Sequence, residues 1–303
     1  MADDHGFVRV AMVLLMLGAL LSRAAPAQEL DTMLAEGPTL DEAATIVPVE
    51  GGVIPPPNQA EDEKVALAKK LSNPVASLVS VPFQLNFDQD LGPDESGERW
   101  LLNVQPVIPF ELNDEWNLIS RTIVPIIRLD DVAGDSTTGM GDITQSLFFS
   151  PKAPTADGWI WGVGPAFLIP TGNPEQLTAD KWGAGPTAVV LKQEGHWTYG
   201  ALANHIWSFA GNHDRADVNS TYLQPFLAYT TPEAITYSLN SESTYDWEDD
   251  EWSAPINLFA TKVTKIGDQL VSYGGGLRYW VESPDGGPEG LGVRFIFTLL
   301  FPK

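Results

Sequence analysis

The 303-residue chain contains no cysteine. That excludes disulfides, thiolate metal sites and a cysteine nucleophile. Basic residues are scarce: 17 Lys and Arg stand against 40 Asp and Glu, a formal net charge of -23. Phosphate binding needs the opposite sign, so no nucleic-acid partner is expected. Beyond Leu21, no apolar run of 18 residues escapes a charge or a turn residue, which excludes a later membrane-spanning helix. His205, His213, Asp214 and Asp217 lie close in sequence but match no closed zinc spacing. No G-x-S-x-G elbow occurs. Gly162-x-Gly164 and Gly139-x-Gly141 lack the following helix that a dinucleotide site requires. No cofactor, metal site or catalytic residue is expected, and the chain does not read as an enzyme. A barrel-embedded hydrolase would rest on His205 alone.

Aromatics, by contrast, are plentiful, with 10 Trp and 13 Phe. From Tyr199 to Trp280 the chain is a succession of segments rich in Tyr, Trp, Thr, Val, Leu and Phe, separated by short polar links such as 231–234 and 265–268. Each is about the length of a tilted strand crossing a bilayer, ~9–11 residues. Trp247, Trp252 and Trp280 mark segment ends, where a membrane barrel carries aromatic girdles. The same pattern extends through the chain. Twelve strands are predicted, near 76–88, 99–111, 116–128, 142–150, 159–169, 184–193, 197–209, 219–230, 235–246, 251–263, 269–280 and 290–301. In the first, Val79, Val81, Phe83, Leu85 and Phe87 alternate with polar residues. An even count puts both ends of the strand array on one side; the even-numbered connections are short and the odd-numbered ones mostly longer, the one after the ninth strand excepted. The longer ones are 130–141 and 170–183. The predicted fold is all-β, a transmembrane antiparallel up-and-down barrel. Lipid offers backbone groups no partner, so every strand edge must pair. Prolines inside the strands mark bulges or bilayer boundaries.

The N-terminus carries an export pattern. Val8 to Leu21 is apolar and precedes Ala25-Pro26-Ala27, a small-x-small cleavage pattern. Residues 1–27 read as a signal peptide, with a retained anchor helix as the alternative. Residues 28–72 form an acidic periplasmic leader, with a short helix over 60–72. Residues 73–303 form the barrel.

Parity assigns the interior. Gln84, Asn86, Asp88, Asn103, Gln105, Asn240, Glu242, Arg278 and Arg294 are the predicted lumen-lining residues. An arginine facing lipid at the midplane costs ~2–4 kcal/mol, which favours the inward assignment. The charges either satisfy one another or contact solute, and the sequence leaves both open. An acidic lumen and mouth would favour cations or neutral solutes, although Arg278 and Arg294 argue against a simple cation pore. Gly274-Gly275-Gly276 either allows tight strand coiling or leaves room for a leader or ligand.

Several blocks carry a family likeness: NPVASLVSVPFQLNFDQDLGP at 73–93, NVQPVIPFELNDEWNLISRTIVPII at 103–127, GMGDITQSLFFSPK at 139–152 and KWGAGPTAVVLKQ at 181–193. WTYGALANHIWSFAG at 197–211, VNSTYLQPFLAYTT at 218–231 and the segment 274–303 continue it. The chain resembles bacterial outer-membrane proteins labelled "transporter" or "neuromedin U", within the wider group named for the MetA pathway of phenol degradation. The resemblance implies a Gram-negative outer-membrane barrel and a passive route for small, hydrophobic or aromatic compounds. It brings no catalytic or binding residues with it. The expected partners are outer-membrane lipid, small solutes and the barrel assembly machinery. A non-conducting structural or adhesive barrel and a barrel hydrolase are the alternatives.

Overall fold

A computed structural model describes residues 57–132 and 135–302. The predicted signal peptide and most of the acidic leader lie outside the described residues. The rest is a closed antiparallel barrel of twelve strands. They are β1 (Val79–Leu91), β2 (Gly97–Val104 and Val107–Glu111), β3 (Trp116–Val132), β4 (Asp135–Met140 and Ile143–Pro151), β5 (Trp159–Ile169) and β6 (Lys181–Glu194). The second half comprises β7 (Trp197–Gly211), β8 (Asn219–Thr230), β9 (Ile235–Ser241 and Ser243–Asp246), β10 (Glu251–Ile266), β11 (Gln269–Glu282) and β12 (Glu289–Phe301). Each pairs with its sequence neighbours. Pairing of β1 with β12, from Val79 opposite Phe301 to Gln89 opposite Glu289, closes the ring. No edge is left to seek a partner.

Alternation is the physical basis of the two faces. On β12, Leu291, Phe295 and Phe297 are exposed on the outer face, while Arg294, Thr298 and Leu300 are buried inside. On β11, Tyr273, Leu277 and Tyr279 face out and Ser272 and Arg278 face in. Val271 shares the outward parity but is covered. The outer surface is a band of exposed Trp, Tyr, Phe, Leu and Val side chains. Water would penalise so wide an apolar surface, and a bilayer would cover it.

Three strands are interrupted. β2 breaks at Gln105-Pro106, where proline removes a ladder donor and the Gln105 N–H turns to the Pro82 carbonyl at 2.8 Å. β4 breaks at Gly141-Asp142. There the Asp142 carboxylate accepts from the Gly172 and Ala179 amides and the Thr178 hydroxyl, tying down the connection to β6. β9 breaks at Glu242, and β10 shifts register at Pro255. Two expected long loops are shorter than their composition implies. The 130–141 stretch is mostly a continued hairpin, with Val132 opposite Asp135, and β6 begins at Lys181.

A helix, α1 (Pro57–Leu71), precedes the barrel. Lys69 and Lys70 in its last turn complement its dipole. Leu67 and Ala68 pack against Ala76, Leu78, Ala234, Val263 and Leu300, at the end of the barrel bearing the short connections. Residues 72–78 then turn inward. The Val75 amide is held by the Asn73 side chain at 3.0 Å, and Asn117 donates to the Ser77 hydroxyl at 2.8 Å. Val75 is buried with Ile119, Phe148, Val189, Leu191 and Leu202. These are interior positions of β3, β4, β6 and β7. This part of the lumen is therefore filled like a core, and burying Val75 alone is worth ~1.5–3 kcal/mol.

Candidate functional site

The lumen is partitioned. Towards the long connections lies a chamber of about 380 Å³, lined by Gln84, Asn103, Gln105, Glu242, Arg278 and Trp280 among others. Towards α1 lie two smaller spaces, of about 210 and 150 Å³. Gln105 and Arg121 line both the outer chamber and the smaller inner space, so they stand in the partition. The Arg121 guanidinium donates to the Gln105 side-chain oxygen at 3.0 Å.

Two carboxylates organise the wall. Asp88, fully buried, accepts two bonds from Arg99, at 3.2 and 2.9 Å, and one from the Trp280 indole at 2.9 Å. Arg278 Nε lies 3.3 Å from the same carboxylate. The guanidiniums of Arg278 and Arg99 sit 4.5 and 5.5 Å from the Trp280 ring centroid, at cation–π range. Glu242 is engaged by Arg294, at 3.0 and 2.7 Å, in a bidentate pair. Arg294 also donates to Asn86 at 2.7 Å and is fully buried. Beside it, Asn257 donates to Asn240 at 2.9 Å, and Asn240 lines an inner space.

A family profile described as "Putative MetA-pathway of phenol degradation" matches residues 98–283, more than half of the chain. The chain belongs to this family. The match runs from β2 to β11 and includes Arg99, Arg121, Glu242 and Arg278. α1, β1 and β12, with Asn86, Asp88 and Arg294, lie outside it. Among solved structures, an outer membrane channel from Pseudomonas putida F1 is 16% identical, with a TM-score of 0.59 over 74% of this chain and 96% of that chain. At this identity the likeness concerns the fold, which is that of an outer-membrane barrel. The NanC porin is 10% identical with a TM-score of 0.43, over 74% of this chain and 100% of that one. Outer membrane phospholipase A from Escherichia coli is 9% identical with a TM-score of 0.41, over 74% and 92%. No curated protein matches the chain.

The predicted lumen residues thus fall into three places. Gln84, Asn103, Gln105, Glu242 and Arg278 line the outer chamber, Asn240 an inner one, and Asn86, Asp88 and Arg294 knit the wall. Sequence reasoning missed Arg99, Arg121, Tyr222 and Trp280. Arg99 shares parity with Asn103 and Gln105, so the same rule finds it. Arg121 lies on β3, where alternation is weak. Trp280 is not a girdle residue: it continues the inward series Ser272, Gly274, Gly276, Arg278.

The expected acidic lumen is corrected. The wall network holds four arginines, Arg99, Arg121, Arg278 and Arg294, against Asp88 and Glu242. The negative charge gathers instead at the long-connection end. There Lys181 holds the Asp217 carboxyl below the usual carboxylate range, from 2.8 Å, so it stays charged. The glycine run does not open space either. A Cβ at Gly274 or Gly276 would strike the β10 backbone, so these glycines permit close strand approach.

His205 faces outward on β7, with Trp207. Its Nδ1 lies 2.7 Å from the Thr221 hydroxyl, which also accepts from the Trp247 indole at 2.8 Å. Among the described residues its partners are Thr221 and Trp207, neither a serine nor a carboxylate. This arrangement supplies no activated nucleophile.

Proposed function

We propose that the chain is a channel of the Gram-negative outer membrane that moves small molecules passively, hydrophobic and aromatic ones among them. The observation that carries this reading is the contrast of faces. An apolar outer band surrounds a polar, arginine-bearing lumen with a chamber of about 380 Å³. The short connections and α1 then face the periplasm, and the long connections face outward. Residues 1–27 are the export signal, and the barrel assembly machinery would insert the mature chain. The apolar inner wall at Ile119, Phe148, Val189, Leu191 and Leu202 supports apolar solutes. Because α1 and Val75 fill the periplasmic end, passage requires that segment to shift.

Single-channel recording in planar bilayers tests the proposal, with folding checked by gel mobility before and after boiling. The full-length chain and its Leu67→Asp variant are compared. Conductance steps are expected, larger or more frequent in the variant. Silence in both, from folded protein, would favour the non-conducting structural barrel.

A further inference from the structure

We infer that the outer chamber is a binding site for a small organic anion, a carboxylate with an apolar body. The inference rests on the channel reading and names the solute class that the same lumen takes. Its basis is a charge imbalance. Both oxygens of Asp88 already accept, from Arg99 and Trp280, and both oxygens of Glu242 accept from Arg294. Two guanidiniums on the chamber wall are left short of acceptors. Among the described residues, the Arg121 side chain has one hydrogen-bond partner, the neutral Gln105, and no carboxylate in direct contact, since Glu242 across the same chamber is held by Arg294. Arg278 is 5% exposed, and among the described residues its side chain donates no hydrogen bond, its buried Nε lying 3.3 Å from Asp88 without making one. Its nearest carboxylate is Asp88, which Arg99 already engages, and the next, Glu242, is held by Arg294.

A buried or half-buried cation without its acceptors is costly. An anion in the chamber would remove that cost, and a planar carboxylate matches the guanidinium fork in two parallel bonds. The rest of the wall selects the body of the ligand. Leu101, Ile123, Leu168, Ile206 and Val218 line the same space, so it is not a site for a bare ion. Arg121 stands in the partition and binds Gln105 by a single bond. A carboxylate arriving there competes with one neutral contact at the passage between the chambers.

Titration calorimetry on the refolded full-length protein in micelles at pH 7 tests this. The probes are benzoate, benzyl alcohol, which keeps the ring without the charge, and acetate, which keeps the charge without the ring. Benzoate should bind saturably, and the other two about tenfold more weakly or worse. Arg121→Met should weaken benzoate by about tenfold or more. Arg128→Met, at an exposed outward position paired with Asp130, should leave it unchanged. Benzoate binding no tighter than benzyl alcohol, or unaffected by Arg121→Met, would overturn the inference. If Arg121→Met fails the gel-mobility test of folding, the contrast among the three probes on the unmodified protein decides. Conductance without benzoate binding overturns this inference alone. Benzoate binding in a barrel that never conducts keeps the site and overturns the channel reading.

Discussion

Arg294 shows how one side chain fixes the barrel wall. It is fully buried, and its guanidinium is satisfied by Glu242 on β9 and Asn86 on β1. The Glu242 bond spans β10 and β11. Breaking a buried pair from one side strands a charge, at ~3–5 kcal/mol, whereas removing both partners costs far less. Glu242→Leu should therefore destabilise the folded barrel by about that amount in urea titrations in lipid vesicles. Adding Arg294→Met should restore most of the loss. If the double variant is no better than the single, the pair does not act as a unit. This much of the site was legible, because parity on β12 and β9 turns Arg294 and Glu242 inward. Their partnership was not, because register between non-adjacent strands leaves no mark in the sequence. The sign of the lumen was also hidden. It depends on Arg121, whose inward neighbours Ile119 and Ile123 are apolar and whose outward neighbours Ser120 and Thr122 are polar, so parity points the wrong way there.

At the scale of elements, α1 is an attachment and the barrel is the frame. Every barrel strand is paired on both sides, whereas α1 is held mainly by Leu67 and Ala68 in one apolar cluster. A carboxylate placed in that cluster is penalised by several kcal/mol, and undocking the helix relieves it without breaking any ladder. Leu67→Asp should therefore speed trypsin cleavage after Lys69 and Lys70 while leaving the folded gel mobility unchanged. Equal cleavage of variant and parent would mean that the cluster does not hold the helix. Strands were the readable elements. At β5, Trp159, Trp161, Val163, Pro165 and Phe167 alternate against Gly162, Gly164 and Ala166, and its bounds follow directly. The 130–141 hairpin was hidden by its Asp, Gly and Thr content. Strands running past the apolar band are wet on their outer side, so nothing selects alternation there. The break at Gln105-Pro106 was visible from its proline, but the one at Glu242 carries no such sign.

For the whole molecule, the net charge of -23 and the arginine-rich wall pull in opposite directions. Carboxylates crowd the long-connection end: Asp130 and Asp131 at the tip of β3, Asp214 and Asp217 after β7, and Glu248, Asp249 and Asp250 after β9. An acidic mouth concentrates cations and repels anions, but only within the reach of its field. That reach is ~10 Å at 0.1 M salt and ~3 Å at 1 M. Arginines on a low-dielectric wall are screened much less. Ion selectivity should therefore depend on ionic strength. Near ~0.1 M KCl the mouth should favour cations, and near ~1 M the wall should dominate and favour chloride. Reversal potentials across a KCl gradient, measured on the Leu67→Asp variant, would show the shift as a change of sign or a clear move towards the chloride potential. A channel that stays equally cation-selective at both concentrations would place the controlling charge in the carboxylates, and Arg121 and Arg278 would then be wall ties with no influence on what passes.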